Sequence, residues 1–283
     1  LILADPAEVW RHDFFIDTGA FARRRLTLSR KTLVENNLLN IAFWADNPPF
    51  YEVSHRSGVL SLVWAALAVP WVGRLLLSEG IRRAHVGPKP HRWLAHLTNV
   101  ISSPFETGAT ILAILRDRFL ARPRKPGFLV RNRSGRYALH FHAEQSPIKR
   151  SRVSLSETAD ITGMPYLDID LQYDPRDAEA IVTAHEILDR ELRAAGRGRL
   201  DFYDANRSER ERRVLAQATD GYHQTGTTRM GDDPADSVVD AHCRVHGLDN
   251  LYVAASSVFP TSGQANPTFA TVALALRLAA DLA

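Results

Sequence analysis

Two short stretches near the C-terminus carry residue types suited to proton and charge chemistry. In the first, Tyr222-His223 is followed by Gln224-Thr225-Gly226-Thr227-Thr228-Arg229-Met230-Gly231. A histidine among small, hydroxyl-bearing and glycine residues belongs on a loop. Near neutral pH its imidazole can take an alcohol proton or steady an alkoxide. A histidine satisfied only by structural hydrogen bonds is the plainer alternative, and the chain has 11 histidines, most of which must be structural or exposed. In the second stretch, Asn266-Pro267-Thr268, asparagine is a strong N-cap and proline is pre-set for the first helical turn. The free N–H groups of such a turn, with the helix dipole, make a site for negative charge.

A third group lies upstream. Tyr137 to Glu144 alternates with a period of two, placing Leu139, Phe141 and Ala143 on one strand face and His140, His142 and Glu144 on the other. The second face reads as an ordinary polar face or as the wall of a substrate cleft, with His142 and Glu144 as the substrate contacts to test. We assign no metal site to it.

The elements that must hold these residues are legible in outline. Residues 1–57 mix short apolar runs with turn residues and imply irregular structure with one or two helices. Val59 to Leu77 is the most apolar stretch and has no charge before Arg74. It is short for a bilayer span, which needs ~20 apolar residues. A pair of core helices is the favoured reading, with an interfacial or lid helix as the alternative. Residues 80–122 carry Arg82, Arg83, Lys89, Arg92, Arg116, Arg118 and Arg122 around apolar helical patterns, a solvated face. Beyond the linker Arg122–Gly127, strands are predicted at Tyr137–Glu144, Val153–Leu155 and Tyr166–Leu171. They read as a meander. A helix then opens at Asp174-Pro175, with Ile181, Leu188 and Leu192 as its apolar stripe and Gly196 as its stop. Leu251–Ala255 reads as a strand buried in a parallel sheet. The final helix, with Phe269, Val272, Ala273, Leu276 and Ala280 as its stripe, is apolar enough to be buried.

Composition excludes some classes. Lys and Arg number 35 against 32 Asp and Glu, an excess too small to argue for nucleic acid. The single cysteine, Cys243, cannot form an internal disulfide, and it reads as a small buried or half-buried thiol. The five tryptophans, Trp10, Trp44, Trp64, Trp71 and Trp93, read as core. Leu1 to Trp10 has no signal-peptide pattern, and the chain reads as entered in mid-protein.

Taken in order, Tyr222-His223, Gly226-Thr227, Arg229-Met230-Gly231, Ser237-Val238-Val239-Asp240, Arg244-Val245-His246-Gly247, Asn250-Leu251-Tyr252-Val253, Ser257-Val258-Phe259-Pro260-Thr261 and Asn266-Pro267-Thr268 resemble the C-terminal signature of the glucose–methanol–choline (GMC) oxidoreductases. Glu144 to Pro147, Ser151 to Leu155 and Asp160 to Leu171 resemble that family's substrate-side sheet. The likeness covers residues 140–283 well and 1–139 loosely.

The resemblance implies an FAD-dependent oxidation of an alcohol, such as a sugar or polyol. His223 would be the base, Asn266 would bond the substrate oxygen, and Ala255, Ser256, Pro267 and Thr268 would lie against the cofactor. It implies a mixed α/β fold: an antiparallel substrate-domain sheet with helices, plus the C-terminal strand and helix of a Rossmann-like FAD domain. The corresponding divisions are 1–127, mainly helical; 128–216, sheet and helix; and 217–283, the part carrying His223 and Asn266. Two departures stand out. Ala255 occupies a position where many members carry Asp, and the chain has no Gly-x-Gly-x-x-Gly fingerprint. The chain is therefore expected to be an incomplete enzyme that binds FAD weakly by itself. A non-redox lyase of the same fold, a non-catalytic scaffold, and a membrane-associated subunit docking through Val59–Leu77 remain as alternatives. The electron acceptor (oxygen, quinone or cytochrome) is left open.

Overall fold

The computed structural model describes the chain except residues 133, 219–222 and 264, so Tyr222 lies outside the described residues. Among the described residues the elements run β1 (Ile2–Leu3), β2 (Phe14–Asp17), β3 (Ala20–Arg23), β4 (Leu26–Thr27), α1 (Arg30–Glu35), β5 (Ile41–Asp46), α2 (Gly58–Ala68), α3 (Pro70–Leu76), α4 (Glu79–Val86), α5 (Trp93–Ile101) and α6 (Pro104–Leu115). They continue with β6 (Ala138–Ala143), β7 (Arg152–Ala159), β8 (Pro165–Asp170), α7 (Pro175–Ala194), β9 (Gly198–Arg199), α8 (Arg207–Gln217) and α9 (Thr268–Leu282). The fold is mixed α/β with small sheets. The sheet orders are β1-β9, β2-β3, β4-β5-β6 and β7-β8. Two compact units divide the chain. One takes residues 1–26, 43–141 and 187–201, the other 27–42, 142–186 and 202–283.

In the first unit, β2 and β3 make a hairpin with Phe14 opposite Arg23 and Asp17 opposite Ala20. Its turn places both Thr18 and Gly19 at positive φ. This geometry matches strand twist, and glycine adopts it without strain. Helices α2 to α6 pack around Trp64, which is 1% exposed. Its ring stacks on His96 at 3.7 Å, and its indole N–H donates to the Val86 carbonyl at 3.2 Å. Ser61 Oγ lies 3.0 Å from His96 Nδ1 and accepts from the Asn99 amide at 3.1 Å. Gly58 opens α2 because a Cβ there would stand 2.1 Å from Thr107 Oγ1.

The apolar stretch Val59–Leu77 is two helices bent by 104°. Val59, Leu60, Trp64 and Leu67 on α2 are buried as predicted, whereas Trp71, Leu75 and Leu76 on α3 are exposed. Of the five tryptophans only Trp44 and Trp64 are core, while Trp10, Trp71 and Trp93 are exposed. Indole is large, and this unit has interior room for few such rings. Residues 1–57 also hold more strand than expected, because β5 is an uninterrupted buried run without the alternation that marks a half-buried strand.

In the second unit α7 begins where expected. The buried Asp174 accepts the Arg176 N–H at 2.9 Å and pairs with its guanidinium at 2.7 Å, which pulls its carboxyl down to about 2. The helix ends among residues of the first unit, where Gly196 has φ 64 and the Arg197 N–H reaches back to the Leu192 carbonyl. The predicted strands form, but not as one meander. β6 belongs to the sheet with β4 and β5, while β7 and β8 make their own hairpin with Val153 opposite Ile169 and Leu155 opposite Leu167. Strand partners depend on contacts distant in sequence, which local alternation does not encode.

Candidate functional site

The C-terminal part of the second unit is organised by a small core of Val239, Cys243, Val258 and Leu278, against which Met230, Val245, Tyr252, Val253, Phe259 and Leu274 pack. Cys243 is fully buried, and burial pushes its thiol up. It sits at φ 64 in a turn closed by Asp240, whose carboxylate accepts the His242 and Arg244 N–H groups at 2.8 and 3.0 Å. Little regular structure is present around this core, so backbone groups are satisfied segment to segment.

The histidine-bearing segment is laced to the turn at 255–259. Ser256 Oγ donates to the Gln224 carbonyl at 3.1 Å. The Thr228 N–H donates to the Ser257 carbonyl at 3.0 Å, its hydroxyl meets Ser257 Oγ at 2.6 Å, and the Met230 N–H donates to the Val258 carbonyl at 2.8 Å. Gly226, at φ 84, allows the bend between these contacts. His223 is thus fixed one residue from an anchored carbonyl while its own side chain stays exposed. Ser256, expected against a cofactor, spends its hydroxyl on Gln224. Neighbouring Ala255 flanks a short 3-10 turn.

Leu251–Val253 differs from the buried parallel strand predicted. Tyr252 bridges Arg244 antiparallel, the Val253 N–H donates to the Cys243 carbonyl, and the Val245 N–H to the Leu251 carbonyl. Parallel neighbours for this strand are absent among the described residues. Helix α9 also departs from expectation. Leu274 and Leu278 face the core, whereas Phe269, Val272 and Leu276 of the predicted stripe are exposed. A helix apolar on most sides gives the sequence no basis for choosing its buried face. Arg277 ties α9 to the Asp240 turn by donating to the Ala241 carbonyl at 2.6 Å.

Asn266 is exposed just ahead of α9, and the helix begins one residue later than predicted, with Pro267 in the cap position and no side chain bonded to the cap. The first N–H groups of the helix, including that of Thr268, are therefore not taken by a capping side chain. Pro267 contributes its carbonyl to the Thr271 N–H and hydroxyl, at 2.8 and 2.9 Å.

Glu144 links two loops. Its Oε1 accepts the Ser262 N–H at 3.1 Å and its Oε2 the Asn40 N–H at 3.2 Å, while its own N–H donates to the Asn40 carbonyl. This clamp on the segment leading to Asn266 gave no sequence signal, since the partners stand 104 and 118 positions away. A cleft beside it, lined among others by Leu38, Asn40, Asp177 and Ile181, encloses about 240 Å3 including space open to solvent. His142 is exposed on β6, and in the first unit His140 turns its ring edge-on to Trp44 at 5.7 Å. Among the described residues no three His, Cys, Asp or Glu side chains gather as a metal set.

These loops, turn and helix fall in the part of the chain that compares with known proteins. Residues 147–275 match the GMC oxidoreductase family. Paromamine 6'-oxidase of Streptomyces fradiae is 40% identical over 133 residues, 47% of this chain and 23% of that protein. C-glycoside 3-oxidase of Arthrobacter globiformis is 35% identical over 48% of this chain and 24% of its own length. The solved pyridoxine 4-oxidase from Mesorbium loti aligns over 54% of this chain and 31% of its own, with 28% identity and a TM-score of 0.38. Each match thus spans under a third of the relative. Residues 147–275 are thus similar to the C-terminal region of GMC oxidoreductases.

Proposed function

We propose that the chain provides the substrate-side and proton-handling part of an FAD-dependent oxidoreductase acting on a CH–OH group of an alcohol or sugar. The observation that carries this reading is the fastening of the His223 segment to the 255–259 turn, on the same core that seats α9. The cofactor fits the residues present in one respect: the N-terminus of α9 has no capping side chain, so its N–H groups suit an anionic flavin edge. Pro267 and Thr268 would hold that edge, with main-chain contacts from Ala255 and Ser256. FAD, when bound, supplies the hydride acceptor.

The chain's own residues do the rest. A ring nitrogen of His223 takes the hydroxyl proton, and the Asn266 carboxamide N–H donates to the oxygen that becomes negative. The backbone anchors at Gln224 and Ser262 would serve to position the two side chains, since proximity and orientation supply much of the rate gain. The names of the relatives, a paromamine 6'-oxidase and a C-glycoside 3-oxidase, favour a sugar-like substrate.

The test is anaerobic bleaching of the flavin absorbance on adding sugars and alcohols to the FAD-loaded enzyme. Bleaching by one of them is expected, slowed ~10²–10⁴-fold by His223→Ala with FAD content unchanged. Bleaching at the parent rate in that variant would remove His223 from the mechanism.

A further inference from the structure

We propose that the outward faces of α3, α5 and α6 dock on an anionic lipid bilayer. On α3, Trp71 and Leu75 are 76% and 83% exposed. On α5, Leu94 and Ile101 are 81% and 65% exposed, and on α6, Phe105 and Leu112 are 92% and 69% exposed. Spacings of four and seven put each pair on one face of its helix. The opposite faces carry the buried contacts, with Gly73, His96 and Thr107 inside. The helices are amphipathic, yet their outward sides are apolar, the reverse of what water selects. Outward apolar faces on three helices within residues 70–115 exceed the scatter of single exposed leucines on an ordinary surface.

Charge identifies the occupant. Residues 58–125 contain ten Lys and Arg against three Asp and Glu, whereas the remainder of the chain contains 25 against 29. The small positive charge of the whole chain is therefore the sum of a strongly cationic helical segment and an acidic remainder. Exposed Arg92, Arg116, Arg118, Arg122 and Arg124 lie at the ends of α5 and α6 or just beyond. Apolar and aromatic side chains flanked by guanidinium groups suit the headgroup boundary of a bilayer with negative lipids. A second copy of this chain would bring the same cations against themselves.

The docking is peripheral. Among the described residues no single helix is long and apolar enough to cross a membrane, and the pair α2–α3 is bent by 104°. Val59, Leu60, Trp64 and Leu67 of α2 are spent on the core, so this helix is not part of the proposed face. The surface also lies outside residues 147–275, so it is independent of the oxidoreductase match.

The experiment is co-sedimentation of the full chain with phosphatidylcholine vesicles, with and without phosphatidylglycerol. Three proteins are compared: the parent, the variant Trp71→Ser/Leu94→Ser/Phe105→Ser, and the variant Arg122→Ala/Arg124→Ala. The substituted side chains are exposed, and circular dichroism checks that each protein folds. Sedimentation with the phosphatidylglycerol vesicles only is expected, lost in the serine variant and weakened by about five-fold for each arginine removed. The proposal fails if the parent stays in the supernatant with both vesicles, sediments equally with neutral ones, or binds undiminished in the variants. It fails also if gel filtration without lipid shows self-association that Phe105→Ser abolishes.

Discussion

Between Gly58 and Leu115 the chain is almost continuous helix, with backbone groups paired inside each element and a core gathered around Trp64. Between His223 and Pro267 regular structure is sparse. Backbone groups are paired across loops, and the buried core is reduced to Val239, Cys243 and Val258 with Leu278 from α9. Only the second region falls inside the family match. The difference teaches that the segment proposed to do chemistry is fixed by directional bonds between particular residues, which limits what can be substituted. The helical region is fixed by apolar burial, which many sequences satisfy. Its outward faces are then available for another purpose.

The largest effect that would test this contrast is the loss of the helical core. Trp64→Ala should cost about 3–5 kcal/mol, seen as a lower urea midpoint. Trp71→Ala on the outward face should change it by about 0.5 kcal/mol or less. Equal losses would erase the distinction between inner and outer faces.

A similar effect should come from pH. His55 is buried, its Nδ1 accepts the Ser57 N–H at 2.9 Å, and burial lowers its pKa to about 4. The folded value lies below the ordinary ~6.5, so the unfolded chain takes up the proton first as pH falls. Stability from this group is full above about 6.5 and declines toward pH 4, by about 3 kcal/mol in total. Denaturation followed from pH 7 to pH 4 should show the decline, and His55→Gln should flatten it. An unchanged slope in that variant would assign the decline to other groups.

The smallest effect concerns the loops. In Glu144→Gln the amide nitrogen cannot accept, so the Asn40 or Ser262 N–H loses its partner, at about 1–3 kcal/mol. Amide exchange at Ser262 should quicken, and kcat should fall with little change in KM. Exchange at the parent rate would show that the clamp does not hold the segment leading to Asn266.

The sequence by itself determined the local features: the start of α7 at Asp174-Pro175 and its end at Gly196, the alternation of β6, the buried Cys243, and the order of motifs from His223 to Thr268. Each depends on residues near one another in the chain, where capping, period and turn chemistry act. Tertiary structure alone decided which strands pair, which side of α9 is buried, that Glu144 clamps residues more than a hundred positions away, and that three of five tryptophans face outward. Those outcomes depend on which surfaces compete for a limited interior. An apolar side chain states only that it prefers burial, and neither its partner nor its success is written in its neighbours.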